Sequence, residues 1–265
     1  MKKKLKIVTV VTNKNADGLI HLLKPSCAFF NLNLTVLEIK PKNYHNHKCK
    51  DLILYKYLSS KGDDEIIFFT DGYDTMFLCP EEEILAKYDI TGKEILFSAE
   101  INCWPDIKLA VKYPETKSLF KYLCSGGFIG KAGYIKKKIE EKLETDSIQK
   151  YPYSNQIYWT EQFLRDQANI ALDTHCQIFL PLSSEIDMFF LQKSEGEENF
   201  NQYLEQKVKW FNNHFSFKQK RIYIKDTKTL PCHVHTNGLS KLIAKEIADT
   251  LNFKARYTND LIANN

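Results

Sequence analysis

EIIFFTDGYD, residues 65–74, decides the fold. A short, unbroken apolar run bounded by polar residues reads as a strand buried on both faces. This one runs from Glu65 to Thr70 and ends on Asp71 and Asp74, set around Gly72 and Tyr73. Two carboxylates therefore stand at the mouth of a buried strand. Just beyond them, Pro80 precedes Glu81, Glu82 and Glu83. Proline suits a first helical turn and acids suit the positive end of the helix dipole, so a helix opens there.

The same alternation extends in both directions. Leu5–Thr12 is a β-branched run and reads as a first buried strand, and Leu34–Ile39 alternates and stops before Pro41. Leu19–Phe30 and Asp51–Leu58 carry apolar residues at helical spacing, and Glu94–Ala99 is a further strand. Strands alternating with helices predict βαβ units and an open, mostly parallel α/β sheet flanked by helices. Ligands of such sheets bind at the C-terminal strand ends. Thr9–Thr12, Asp71–Asp74 and Glu100–Trp104 all fall at such ends.

The second half is less regular. Ser125-Gly126-Gly127, within SGGFIG, reads as a turn or close approach feeding a short strand. Ile135–Leu143 and Gln156–Arg165 read as helices, with Glu161 and Asp166 solvent-facing by default. Asn169–Leu172, Gln177–Leu180, Arg221–Ile224 and Leu230–His235 read as extended. Glu195–Glu198 reads as polar loop and Leu239–Leu251 as a closing helix. With no internal repeat and no linker, residues 1–265 read as one domain of two halves meeting near residue 120.

Bulk properties exclude several classes. At 43% hydrophobic and 13% aromatic, the chain has enough apolar mass for a core. Its net charge of +4 is too mild, and its lysines too scattered, for a dedicated nucleic-acid binder. The seven cysteines are odd in number and widely spaced without a CxxC, which argues against a disulfide framework or a structural zinc site. The apolar part of MKKKLKIVTVV is too short for a secretory signal, and no apolar run reaches membrane-spanning length. A soluble chain in a reducing, cytoplasmic compartment is the simplest expectation; oligomeric state is not legible.

Asp71 and Asp74, three apart at a strand exit, can point at one spot. Paired carboxylates suit a hard divalent cation, Mg²⁺ or Mn²⁺; the plain alternative is a turn in which one aspartate caps the backbone. In CHVHTNGLSK, residues 232–241, His233 and His235 share a strand face, and Asn237-Gly238 turns the chain toward a helix N-terminus that suits an anion near Lys241. Trp104-Pro105 is a stacking platform or a packed corner. His45, His47 and Cys49 fit no standard zinc spacing, and Cys124 lacks a base that would make it a nucleophile.

Read in order, VTVVTNKNADG, FFTDGYDTMF, LFSAEINCWPD, LAVKYP, LCSGGFIG, LDTHCQIF and VHTNGLSK resemble the glycosyltransferase domain of the procollagen lysyl hydroxylases, from about residue 5 to 245. Procollagen galactosyltransferases and lipopolysaccharide glycosyltransferases are more distant relatives. The resemblance implies a GT-A (Rossmann-like) glycosyltransferase fold, a divalent metal and a UDP-sugar donor. It assigns the metal to Asp71, Asp74 and His235, and leaves His233 as a strand residue. It sets Tyr73 against the nucleoside, with Thr9, Val11 and Thr12 lining the uridine pocket. Lys241 and the backbone at Gly238 would hold the diphosphate, Lys48 would reach the nucleotide, and Trp104 would border the sugar or acceptor.

There are departures. Cys124 stands where the family has Asn before Ser-Gly-Gly, and Thr236 where it has Gly. The family's Asp-Asp-Gln on the helix after that motif is aligned with Thr160-Glu161-Gln162, which sets Glu161 and Gln162 near the sugar. The hydroxylases' iron dioxygenase part has no counterpart here, so lysyl hydroxylation is not expected. The expected activity is transfer of a hexose, glucosyl or galactosyl, to an acceptor hydroxyl, with retention. The acceptor is (galactosyl)hydroxylysine of a collagen-like protein or, alternatively, a lipopolysaccharide or other surface glycan. A non-catalytic nucleotide-sugar or carbohydrate-binding module is the alternative of another class.

Overall fold

The computed structural model describes residues 4–44, 47–145, 147–151, 154–187 and 197–251. The main sheet is built from β1 (Leu5–Val11), β2 (Leu34–Glu38), β3 (Ile66–Thr70), β5 (Ile95–Glu100), β6 (Tyr122–Lys131) and β7 (Ile170–Asp173). A smaller sheet holds β4 (Thr75–Phe77), β8 (Phe179–Pro181) and β11 (His233–His235), and β9 (Phe215–Lys218) pairs with β10 (Arg221–Ile224) as a hairpin. The helices are α1 (Lys24–Phe29), α2 (His47–Leu58), α3 (Glu81–Thr91), α4 (Ala132–Glu144), α5 (Ser147–Lys150), α6 (Gln156–Arg165), α7 (Glu197–His214) and α8 (Ala244–Leu251).

The main sheet runs β2-β1-β3-β6-β5-β7. β1 pairs in parallel with β2 and β3, and β5 with β7; β6 alone runs antiparallel to its neighbours β3 and β5. The period of two along each strand sends alternate residues to opposite faces. Ile66 and Phe68 join a core with Leu19, Leu23, Ile84 and Tyr88 on one face. Ile67 and Phe69 join Leu54, Leu58, Ile135, Ile139 and Trp159 on the other. Helices α2, α4 and α6 therefore cover one face, while α1 and α3 cover the opposite one. Fully burying a phenylalanine such as Phe68 contributes about 2–3 kcal/mol, so these two layers fix the strand ends that face the site.

SGGFIG is not a turn. It lies inside the ten-residue strand β6, whose glycines admit close neighbours on both sides. The small sheet contains a strand, β4, that sequence reading missed because it follows the Asp turn by a single residue. The closing segment starts as a 3₁₀ turn, Gly238–Ile243, and becomes α-helical only at Ala244. Glu197 and Glu198 belong to α7 rather than a loop, while Glu195 lies outside the described residues. His45 also lies outside them, and His47 begins α2. Among the described residues no helix is long and apolar enough to cross a membrane.

Candidate active site

The two sheets meet where β3 ends. β4 and β11 are antiparallel, with Thr75 opposite His235. This register brings the residue before β4, Asp74, to the last residue of β11. Asp74 Oδ1 lies 3.2 Å from His235 Nε2, and Asp71 Oδ2 lies 3.9 Å from it. The remaining carboxylate oxygens face lysines: Lys50 Nζ is 2.8 Å from Asp71 Oδ1, and Lys241 Nζ is 3.2 Å from Asp74 Oδ2. Each aspartate thus uses one oxygen for a lysine and turns the other toward the ring nitrogen. Two carboxylate oxygens and one imidazole nitrogen form a donor set suited to Mn²⁺ or Mg²⁺.

The backbone is shaped around this cluster. Asp71 N donates to Gly126 O at 2.8 Å, which locks the turn to β6. A Cβ at Gly126 would lie 2.3 Å from His235 Cε1 and 2.8 Å from Asp71 Oδ2, so glycine keeps the space in which the donors converge. Thr75 Oγ1 donates to Asp71 O at 2.6 Å, and Thr236 donates through both N and Oγ1 to Asp74 O. Thr236 therefore ties the far side of the turn. His233 is buried among Phe68, Phe77 and Phe179, with Nε2 at 2.8 Å from Thr70 Oγ1, as a strand residue should be.

Electrostatics favour a charged cluster. Burial alone would raise Asp74, but His235 and then Lys241 beside it hold its carboxyl down at about 2. Burial opposes charge on His235, but Asp74 outweighs it and holds the ring well above its ordinary range. Cys124 places Sγ 3.9 Å from His235 Nδ1.

Around the cluster opens a cavity of about 450 Å³ whose wall carries the amides of Asn102, Asn155, Gln156 and Asn237 and the hydroxyl of Ser125, together with Glu100 and Trp104. Glu100, at the end of β5, is buried and accepts from Gln156 Nε2 at 2.9 Å and from Asn237 Nδ2 at 3.0 Å. Burial pushes its carboxyl up to about 7, against the pull of these donors and of His235. Gln156 Nε2 also donates to Trp104 O, and its Oε1 accepts from Ser125 N and Oγ. Asn237 Oδ1 accepts from Leu182 N and Ser183 N, so it fixes that loop rather than capping its own turn. Trp104 itself is 55% exposed at the cavity rim.

The structure corrects several assignments. Glu161 accepts from Tyr151 Oη, Lys150 Nζ and Arg165 Nη2, and neither it nor Gln162 lines the cavity. The reason is helical geometry. Five residues beyond Gln156, Glu161 lies about 7.5 Å along α6 and about 140° around it. The residues that meet the cavity at the start of α6 are Ser154, Asn155 and Gln156, so Ser-Asn-Gln takes the position expected of Thr-Glu-Gln. Lys50 reaches the cluster, and Lys48, expected at the nucleotide, sits two residues earlier on α2, about 200° around the helix. Thr9 and Val11 are buried beneath Gly72, where an added Cβ would strike both, so they form the floor of the turn rather than an open wall.

Tyr73 remains half-exposed over the end of β1. Its hydroxyl accepts from Thr12 N at 2.7 Å and Asn13 N at 2.8 Å, and pairs with Thr12 Oγ1 at 3.1 Å. Gly238 and Lys241 line the same cavity as the cluster. Lys50, Asn155 and Gln156 had no assigned role in the sequence, Glu100 was read only as part of a strand-end segment and Asn237 only as half of a turn. The acid at the end of the fourth strand was the available signal; isolated amides gave none.

The mixed, mostly parallel sheet flanked by helices is a GT-A fold, as superposition on a known structure of that fold bears out. A crystal structure of a glycosyltransferase involved in glycosylation of the major capsid of PBCV-1 superposes with a TM-score of 0.51 at 12% identity, covering 93% of this chain and 98% of that one. A family model described as PLOD GT domain matches residues 1–209, and the chain belongs to that family. Procollagen-lysine,2-oxoglutarate 5-dioxygenase 1 from Bos taurus is 31% identical over 89% of this chain and 30% of its own length. The Pongo abelii counterpart is 33% identical over 72% of this chain and 27% of its own. Mouse procollagen-lysine,2-oxoglutarate 5-dioxygenase 2 is 29% identical over 91% and 30%, respectively. The chain thus spans about 30% of the length of these relatives, the glycosyltransferase portion.

Proposed function

We propose that the chain transfers a hexose from a UDP-sugar to an acceptor hydroxyl with the help of a divalent cation. The observation that carries this reading is the convergence of Asp71, Asp74 and His235 in a cavity whose wall carries amides. These three residues would hold Mn²⁺ or Mg²⁺, which when bound supplies Lewis-acid neutralisation of the departing diphosphate. Lys241, largely exposed beside Asp74, adds positive charge on the same side. Tyr73 offers a ring to the nucleoside above the end of β1.

The Asn155 amide and the Asn102 amide oxygen suit sugar hydroxyls, while Gln156, whose donors and acceptors are taken by Glu100, Trp104 O and Ser125, shapes the wall. Glu100 serves this wall by fixing Gln156 and Asn237. With both carboxylate oxygens engaged and its side chain buried, Glu100 is poorly placed to attack an anomeric carbon. This favours retention by same-face attack guided by the leaving phosphate over a covalent glycosyl-enzyme. The acceptor is a hydroxylysine-type side chain of a collagen-like protein, or a surface glycan.

A second reading, a nucleotide-sugar-binding module without turnover, is favoured by one observation. The start of α6 presents Ser154, Asn155 and Gln156 to the cavity and no carboxylate. Release of UDP from a panel of UDP-sugars, with Mn²⁺ and without acceptor, separates the two. Release with one sugar supports the transferase and names its donor. Metal-dependent UDP binding without release, even with hydroxylysine peptides and glycan acceptors, supports the module.

A further inference from the structure

A second cluster lies away from the cavity, where β4 and β11 begin to separate. Cys79 follows β4 and Cys232 precedes β11. Their Sγ atoms and a Glu83 carboxylate oxygen all lie within 4.8 Å of one another. Leu78 N donates to Cys232 O at 2.7 Å, so the two cysteines stand one step off register on paired antiparallel strands. A regular ladder would send side chains one step apart to opposite faces, but β4 has ended at Phe77, and past it the two Sγ atoms come within 4.8 Å of each other. Both thiols are buried.

Three donor atoms of this kind also suggest a soft metal, but the charges oppose it. Both Glu83 oxygens are held by Arg221 at 2.8 Å, and Oε1 is also 2.8 Å from Lys87 Nζ. A cation would have to enter beside a guanidinium and an ammonium and displace them. The hydrogen bond with Cys232, burial and the Glu83 charge hold the Cys79 thiol well above its ordinary range, with Arg221 opposing them as the least influence. Exchange needs a thiolate, so it is slow in the folded chain and the pair closes as the chain refolds.

We propose that Cys79 and Cys232 are a modification site: they form a disulfide that staples the end of β4 to the start of β11 when the chain meets a small-molecule disulfide. One thiolate attacks that disulfide and forms a mixed disulfide, expelling one small thiolate. The second cysteine sulfur then attacks the mixed disulfide and expels the other. The two thiol protons go to the expelled thiolates, so the protein pair is oxidised and the small disulfide reduced. The staple lies at one end of a strand pair whose other end carries Asp74 and His235.

The test uses the full chain, incubated folded and also refolded in glutathione buffers of increasing oxidising strength with a chelator present. Free thiols are then alkylated and the peptides weighed. The expected result is a Cys79–Cys232 cross-linked peptide and a melting midpoint raised by about 10 °C for closure of so long a loop, reversed by reductant. Cys79→Ala and Cys232→Val should each abolish the shift. Complete alkylation of both cysteines after refolding in the most oxidising buffer would overturn the proposal, as would pairing of either with another cysteine. Stoichiometric Zn²⁺ that protects both thiols, and is lost in both variants, would assign the cluster to a metal instead.

Discussion

Glu100→Gln alters one functional group and exposes the charge balance of the cavity wall. Both Glu100 oxygens accept from amides, and neither amide can turn over. Gln156 needs its oxygen for Ser125, and Asn237 needs its oxygen for Leu182 and Ser183. A glutamine at position 100 therefore sets one NH₂ group against another, which costs about 1–3 kcal/mol. The wild-type carboxyl brings its own pH dependence, because burial raises it from 4.5 to about 7. The neutral form is the one the fold prefers. Its contribution is fully present below pH 4.5 and is lost as pH rises through 7. A shift of that size corresponds to about 3 kcal/mol. In urea titrations with chelator present, wild type should be the more stable protein at pH 5. Its advantage should shrink by about 3 kcal/mol by pH 8.5 and vanish or invert there. A wild-type-minus-variant difference that stays flat from pH 5 to 8.5 would refute the buried, raised carboxyl. A variant more stable at every pH would refute the fixed amides.

Gly126→Ala should lower Mn²⁺ affinity at least tenfold, read by calorimetry, while costing about 1–3 kcal/mol of stability, because its Cβ intrudes 2.3 Å from the His235 ring. Gln156→Ala should reduce UDP-sugar turnover by about a hundredfold with UDP binding retained, since it unties Glu100, Trp104 O and Ser125 together. Glu161→Ala should leave turnover within about twofold of wild type, because it lies outside the cavity, and cost about 1–3 kcal/mol in a denaturant titration, because it takes the acceptor from the hydroxyl of the buried Tyr151. Equal losses of turnover for Gln156→Ala and Glu161→Ala would return Glu161 to the sugar site.

The first half of the chain was legible because its elements are local. A buried strand, an acid turn and an acid-led helix each carry their signal within about ten residues, and β1, β3, α3 and β5 form where that signal lies. Asp71, Asp74 and His235 were legible from motif resemblance, and the register of β4 on β11 supplies the physical reason they meet. What escaped depends on long-range geometry. The antiparallel course of β6 is set by its partners β3 and β5, not by its glycines. Lys50 differs from Lys48 only by helical phase. Gln156 lies at the end of α6 that meets the cavity and Gln162 does not, a difference of position that no local signal marks. A charged residue is conspicuous in a sequence, whereas the amides of this cavity wall, Asn102, Asn155, Gln156 and Asn237, are not.

The most direct measurement is UDP binding by calorimetry, with and without Mn²⁺, to wild type and to Asp74→Ala. The Asp71, Asp74 and His235 cluster predicts binding to wild type that strengthens at least tenfold with Mn²⁺. It also predicts no Mn²⁺ effect in Asp74→Ala, whose thermal melt remains cooperative. Equal UDP affinity with and without Mn²⁺ in wild type, or an undiminished Mn²⁺ effect in Asp74→Ala, would contradict it.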